Sequence, residues 1–198
     1  MKRKRLIMAT GNAGKVREIA AILADEYEEV LSMKQAGVAV SVVEDADSFL
    51  GNARKKALAI SEKVDCDVVA DDSGLCVDGL GGRPGVYSAR YSESGTDADN
   101  NAKLVREVTP LDEAGRQAHY SCAIVLARGG QEVFSCEGIC RGKIVTTPMG
   151  DGGFGYDPYF YLEEYGETFG QMDAAEKNKI SHRALALAKL KEFLEAEQ

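Results

Sequence analysis

The spacing of apolar residues predicts that strands and helices alternate along the first part of the chain. Short apolar runs at residues 5–9, 38–43 and 68–70 are typical of buried strands. Between them, apolar residues recur three and four positions apart at residues 15–24 and 47–63. This period predicts two helices that each bury one face. The third strand is expected to end at the acidic pair that follows it.

The second part of the chain predicts another helix, a β-hairpin and a final helix. Residues 97–108 have a helical pattern, and strand patterns at residues 120–127 and 132–140 are separated by two glycines. Ser181 is a suitable N-cap for the last helix. Interleaved helices with a hairpin favour a mixed α/β fold. We expect a largely central β-sheet flanked by helices, in a single domain over residues 1–198 with two lobes around a substrate cleft.

Composition and charge are ordinary for a globular protein and restrict its partners. The 198 residues are 44% hydrophobic and 28% charged, which argues against disorder and a coiled coil. The formal net charge is −8, whereas a general binder of nucleic acid or anionic membranes is usually basic, so we expect neither partner. A small anionic substrate remains compatible if local donors or a divalent metal offset the negative field.

The cysteines and the N-terminal residues predict a cytoplasmic protein. The five cysteines are an odd number without a CxxC pair, so they indicate neither a disulfide framework nor a zinc ribbon. The N-terminal apolar stretch covers only residues 6–9, too short for a secretory signal. No run approaches the roughly 18 apolar residues of a membrane span.

The first candidate functional segment, residues 10–15, lies between a predicted strand and a predicted helix. Loop N–H groups and the positive end of a helix can face a phosphate there, and Lys15 adds a cation. The segment is not a P-loop, because only two residues separate its glycines and Val16 follows the lysine. The alternative is a tight turn with a solvated lysine.

Two adjacent carboxylates, Asp71 and Asp72, follow the third predicted strand. Oxygen ligands there suit Mg²⁺, which keeps several of its waters. Successive strand residues point to opposite faces, so we expect one of the pair to face the substrate and the other to hold the loop. Glu44 ends another predicted strand and could supply a second carboxylate. The alternatives are a turn without metal and a solvated acidic patch.

A glycine-rich loop at residues 146–158 contains Phe154 and Tyr156. Its glycines satisfy the G-x-G-x-x-G spacing, but a dinucleotide-binding fingerprint must open a helix and Pro158 prevents one here. The loop better suits a wall that stacks on a planar ligand. The alternative is a surface loop whose aromatic rings turn into the core.

Basic residues crowd the start of the last predicted helix. Lys177, His182 and Arg183 offer several donors, which suit a phosphate or an oxo-substituted ring and disfavour an amino group. The alternative is a charged face in solvent.

Five strings occur in order: TGNAGK, ADDSGL, GGRPGVYSARY, GFGYDP and EKNKISHR. Together they resemble the inosine triphosphate pyrophosphatase family, hydrolases that remove noncanonical purine nucleoside triphosphates. Within this family the chain resembles the bacterial branch that acts on dITP and XTP. The resemblance implies a Mg²⁺-dependent homodimer that cleaves ITP, dITP or XTP to the monophosphate and pyrophosphate. Two departures are His119, where relatives often have arginine, and Gln171, where they often have glutamate.

The resemblance also implies roles for individual residues. Asp72 would be the general base and a metal ligand, and Glu44 would be a second metal ligand. Ser73 would contact the substrate beside Asp72. The remaining residues that would bind substrate are Thr10, Gly11, Asn12, Ala13, Gly14 and Lys15 at the triphosphate, Phe154, Gly155, Tyr156 and Asp157 around the nucleoside, and Lys177, His182 and Arg183 at the base or the phosphates.

Two other functions are compatible with the same residues. A metal-dependent phosphomonoesterase could use Asp71 and Asp72, and it would release orthophosphate rather than pyrophosphate. A nucleotide sensor would bind the same ligands without turnover.

Overall fold

A computed structural model describes residues 2–197, which form seven strands and five α-helices. The strands are β1 (Arg3–Met8), β2 (Tyr27–Ser32), β3 (Asp67–Val77), β4 (Gln117–Arg128), β5 (Gln131–Ile144), β6 (Phe160–Leu162) and β7 (Glu167–Thr168). The helices are α1 (Ala13–Leu23), α2 (Phe49–Ser61), α3 (Asp97–Val108), α4 (Ala174–Ile180) and α5 (His182–Ala196).

The strands form one mixed sheet in the order β2-β1-β3-β4-β5-β6-β7. Strand β1 pairs in parallel with both β2 and β3, with Leu6 opposite Val30 and Asp67. Strand β6 pairs antiparallel with β5 and β7. The mixed α/β fold with helices around a sheet is therefore confirmed.

The chain divides into two compact units. The first contains Met1–Asp72, Cys122–Gly138 and Arg183–Gln198, and the second contains Ser73–Ser121 and Ile139–His182. The single domain and the two lobes around a cleft stay predictions.

The first unit has a hydrophobic cluster on each face of its strands. Residues alternate in strand β1, so Leu6 and Met8 pack with α1 and α5, while Ile7 packs with α2. All three side chains are at most 3% exposed. This alternation explains why α1, α2 and α5 each need only one apolar face, as their periodicity predicts.

The second unit has one hydrophobic cluster, which is rich in aromatic rings. Tyr120 of β4, Tyr156, Phe160 of β6 and Phe169 pack there with Leu104 of α3. The predicted helix at residues 97–108 is confirmed.

The predicted hairpin is also confirmed, and it is longer than its pattern indicates. Strands β4 and β5 are neighbours joined by Gly129 and Gly130, whose φ values are +53° and +76°. Two residues with positive φ match the twist of a two-residue hairpin loop.

The strand predicted at residues 38–43 is wrong. That segment belongs to no strand or helix and has no strand partner within residues 2–197. Val38 and Val40 pack against the cluster under α2 while Ala39 between them is exposed, so the alternation reflects burial and not strand pairing. The actual strand, β2, precedes this segment. The predicted end of the third strand is also wrong, because β3 continues through both aspartates to Val77.

No helix within residues 2–197 is long and apolar enough to span a membrane.

Candidate active site

The turn before α1 is a capped helix start. The Asn12 side-chain oxygen accepts hydrogen bonds from the N–H groups of Gly14 (2.9 Å) and Lys15 (3.1 Å), and the Thr10 hydroxyl accepts from Asn12 N at 3.2 Å. Two N–H groups of the first turn are thus occupied by the cap. The Lys15 side chain extends from this turn toward the middle of β3, where its ammonium lies 3.1 Å from Asp71.

Asp71 is the fully buried centre of an ion-pair network in the first unit. Its Oδ2 lies 3.1 Å from Lys15 Nζ and 3.1 Å from Arg183 Nη2. Arg183, 1% exposed, also pairs with Glu18. Burial by itself would raise the pKa of Asp71, but Lys15, Arg183 and Lys56 hold that pKa well below its usual range. Asp71 therefore stays ionised and keeps two cations in place.

Asp72 points to the opposite face of β3, as strand alternation predicts. It is 8% exposed, and Asn52 of α2 donates to its Oδ2 at 3.0 Å. Burial raises the pKa of Asp72 above its ordinary value and the Glu44 carboxylate adds to the rise, although Lys56 and Lys15 oppose it. A carboxylate with a raised pKa is a stronger base, which suits proton abstraction.

Lys56 of α2 is a functional candidate that sequence reasoning missed. Its Nζ lies 3.0 Å from Glu44 Oε2 and donates to the Asp71 carbonyl at 2.8 Å. Lys56 is 9% exposed, and a buried lysine needs such partners. The sequence signal was its position one helical turn after Asn52, on the helix face that meets the two aspartates of β3. We call Lys15, Lys56, Asp71, Asp72 and Arg183 the strand-end cluster, because β1 ends beside it, at Met8 opposite Val69.

Glu44 and Asp72 form a donor set that fits Mg²⁺. Within residues 2–197 there is no group of three or more histidine, cysteine, aspartate or glutamate side chains that could hold a metal ion. Mg²⁺ does not require one, because it is commonly bound by one or two carboxylates, substrate phosphates and water. Glu44 is close enough to raise the pKa of Asp72, so the two carboxylates could share a cation with a phosphate.

The glycine-rich loop of the second unit is organised by Asp157. Its Oδ2 accepts from Lys177 Nζ at 2.6 Å and from Phe154 N at 2.9 Å. Both charged side chains are at most 4% exposed. The Lys177 ammonium also lies 4.8 Å from the centre of the half-buried Phe154 ring. The loop thus has a fixed cation beneath an aromatic ring.

The two aromatic residues of this loop have different environments. Tyr156 is 5% exposed within the core, and its hydroxyl donates to Ser88 O at 2.6 Å, so burial raises its pKa. The sequence predicted that both rings form a wall against a ligand. For Tyr156 this prediction is wrong, because its ring packs in the core. Gly155 is fixed to α3 because its N–H donates to Asp97 and its carbonyl accepts from Asn101, each at 2.9 Å.

His182 and Arg183 are consecutive but belong to different units. His182 is 4% exposed and stacks on Tyr120, with ring centroids 4.5 Å apart. Because Lys177, His182 and Arg183 are all buried, the solvated-face alternative is wrong. We call Tyr120, Phe154, Asp157, Lys177 and His182 the loop cluster.

Ser73 and the two residues that depart from the family pattern, His119 and Gln171, lie outside both clusters. Ser73 is half-buried and follows Asp72 on β3. Of the two departures, His119 lies half-buried on β4, and Gln171 accepts a hydrogen bond from Thr168 N at 3.1 Å. The Gln171 contact lies within a turn after β7.

Comparison with known protein families shows to which family the chain belongs. The sequence model of the Ham1 family matches residues 6–193. The chain belongs to the Ham1 family. The resemblance inferred from the motifs is confirmed, and the matched range includes every residue of the strand-end and loop clusters.

Relatives within the Ham1 family are similar over nearly their whole length. The dITP/XTP pyrophosphatase of Geobacillus kaustophilus is 49% identical over 190 residues, which is 96% of this chain and 93% of that protein. The solved structure of the Staphylococcus aureus Ham1 protein has a TM-score of 0.85 at 34% identity and covers 98% of this chain and 100% of its own. The dITP/XTP pyrophosphatase structure from Mycobacterium abscessus has a TM-score of 0.74 at 36% identity, with 94% and 98% covered.

Proposed function

We propose that this Ham1-family chain hydrolyses the noncanonical purine nucleoside triphosphates ITP, dITP and XTP to the monophosphate and pyrophosphate. Relatives named dITP/XTP pyrophosphatase support this reaction. The observation that carries it is the strand-end cluster, in which a carboxylate of raised pKa lies with two buried or half-buried lysines. This arrangement combines a base for water with cations for a polyphosphate.

The residues of the strand-end cluster have separate roles in this reaction. Asp72 accepts a proton from the attacking water, and Asn52 orients its carboxylate. Lys15 and Lys56 bind phosphate oxygens, and Asp71 holds Lys15 in place. Asp72 and Glu44 would hold Mg²⁺, which neutralises phosphate charge and stabilises the leaving pyrophosphate.

Donors of the loop cluster explain the choice of base. Lys177 and His182 present N–H groups, which can donate to the 6-oxo group of hypoxanthine or xanthine. The 6-amino group of adenine would place donor against donor and leave buried groups unpaired. We therefore propose that the loop cluster reads the purine ring.

We also propose a homodimer in the cytoplasm. The homodimer rests on the family resemblance. The cytoplasm is supported by the five cysteines, all of which are free thiols.

The test is a product assay with ITP, XTP, dITP, GTP and ATP, each with Mg²⁺ and with excess EDTA. We expect pyrophosphate from ITP, dITP and XTP, preference over ATP by up to about 10⁴, and no turnover in EDTA. Release of orthophosphate alone would indicate the phosphomonoesterase. Binding without turnover would indicate the sensor.

The substitution Gly153→Ala is expected to displace Asp157 in the loop cluster. Gly153 has a φ of +72°, and an added Cβ would lie 2.1 Å from Asp157 Oδ2, the atom to which Lys177 donates. We expect Gly153→Ala to raise the KM for dITP, because Asp157 must move and Lys177 moves with it. Steady-state kinetics measure the KM, and urea denaturation measures the change in stability.

The matched control is Gly81→Ala. Gly81 has a φ of +64° with nothing within 4 Å of an added Cβ. Both variants lose about 1–2 kcal/mol to the left-handed backbone, but only Gly153→Ala should change the KM. Equal KM values in the two variants would contradict the role of Asp157.

A further inference from the structure

The ring plane of His182 needs an explanation beyond its own helix. The χ2 torsion of histidine has a broad distribution, so a backbone position at the first residue of α5 does not by itself fix the imidazole plane. A base-reading histidine must present its N–H in a defined direction. Some neighbouring group must therefore hold the ring.

Tyr120 of β4 is the neighbour in the right position. Its ring and that of His182 are nearly parallel, with an interplanar angle of 10° and a centroid separation of 4.5 Å. Rotation of the imidazole by a quarter turn about χ2 would end the parallel overlap of the two rings and the packing that it provides. The stack therefore favours one plane for the His182 ring.

Tyr120 is itself held firmly. It is 7% exposed, and its ring lies 4.7 Å from that of Phe160 and 6.1 Å from that of Phe169. A side chain packed by two aromatic rings on a central strand is a rigid support.

Tyr120 also connects His182 with the glycine-rich loop. Its hydroxyl lies 3.4 Å from Asp157 Oδ1, a long hydrogen bond. The other oxygen of Asp157 binds Lys177 Nζ and Phe154 N. One side chain therefore contacts both the histidine and the carboxylate that organises the loop.

We propose that Tyr120 is a positioning residue for base recognition, whose ring stack fixes the plane of His182 so that its N–H meets the 6-oxo group. The proposal rests on the proposed function, because it deepens the role of the loop cluster. The ring provides the main effect and the long hydroxyl contact a smaller one.

The kinetic test compares Tyr120→Leu with Tyr120→Phe. Loss of the stack in Tyr120→Leu should raise the KM for dITP about tenfold, the order of one aromatic pair, and lower the preference for dITP over dATP. The kcat should stay within about twofold, because no proton transfer uses this side chain. Tyr120→Phe keeps the stack and should retain a KM within about twofold of wild type.

A matched control separates positioning from general loss of packing. Phe134 and Phe193 form another stacked pair in the first unit, with centroids 4.6 Å apart. Phe134→Leu should lower the melting temperature in the same way as Tyr120→Leu while leaving KM and base preference unchanged.

A spectroscopic measurement keeps the test valid if Tyr120→Leu does not fold. The chain has two histidines, so the carbon-bound ring protons of His182 can be assigned with a His119→Gln variant. In wild type and in Tyr120→Phe these protons should be shifted upfield by the ring current of the stacked partner. Absence of that shift would overturn the proposal.

The kinetic outcomes that overturn the proposal are equally specific. They are an unchanged KM and base preference in folded Tyr120→Leu, or a loss in Tyr120→Phe as large as that in Tyr120→Leu. Failure of the wild-type protein to hydrolyse dITP with Mg²⁺ would instead refute the proposed function, and the upfield shift would still report whether His182 is stacked.

Discussion

Asp72→Asn should lower kcat for dITP at least about a hundredfold, because a positioned carboxylate base typically contributes about 10² to 10⁴ in rate. The fold should persist, since the asparagine oxygen can still accept from Asn52 Nδ2, as Asp72 Oδ2 does at 3.0 Å. Burial already raises the pKa of Asp72, so a neutral amide is tolerated at this position. Single-turnover kinetics with a pyrophosphate readout measure the effect.

Asp45→Asn is the matched control for this substitution. Asp45 is adjacent to Glu44, and its side chain is 65% exposed and pairs with Lys55 at the surface. We expect kcat within about twofold of wild type, as for most changes of an exposed ion pair. If Asp72→Asn kept more than a tenth of the wild-type kcat, Asp72 would not be the base.

Asp71→Asn should lower the free energy of unfolding by about 3–5 kcal/mol, the usual effect of removing one partner from a buried ion pair. Asp71 is 0% exposed and pairs with both Lys15 and Arg183, so the variant leaves two cations without this carboxylate. Activity should fall as well, because Lys15 loses the contact that positions it. Urea denaturation at neutral pH measures the stability.

The pH dependence of the same residue has a defined sign. The pKa of Asp71 is lowered in the folded protein, so its ionisation stabilises the fold at every pH above the unfolded value of about 3.9. That contribution disappears only as the pH falls through the lower, folded pKa. Asp71→Asn should therefore unfold with a weaker dependence on pH in acid than wild type.

Glu29→Gln provides a surface comparison for Asp71→Asn. Glu29 pairs with Arg5, and both side chains are about half exposed. Its loss should change the free energy of unfolding by less than about 1 kcal/mol. A similar small change in Asp71→Asn would contradict the structural role of the buried network.

The spacing of apolar residues predicted most helices because each helix packs one face against the hydrophobic core. The apolar spacing before Leu23 and around Ala57 reports directly on the clusters against which α1 and α2 pack. Strands depend on a neighbour that the local sequence does not specify. The segment at residues 38–43 has the composition of a strand without a partner, whereas β2 begins with Tyr27 and two glutamates and pairs with β1.

Functional residues could be predicted from the sequence only where they are close together in one segment. The acidic pair on β3 and the aromatic loop are visible in the sequence, whereas the partners of Asp71 are not. Arg183 is 112 residues away, and nothing in its own surroundings indicates that it pairs with a residue of β3. Lys56 and Tyr120 are likewise unremarkable in their helix and strand patterns, because their roles come from tertiary contacts.

The dependence of Asp71 on Arg183 has a consequence for the timing of synthesis. Lys15 and Asp71 leave the ribosome long before α5, which supplies the second cation of the pair. Until translation has passed Arg183, the first unit lacks one of its three stretches of chain. We therefore expect the buried network around Asp71 to be complete in a nascent chain only after α5 has packed on the first unit.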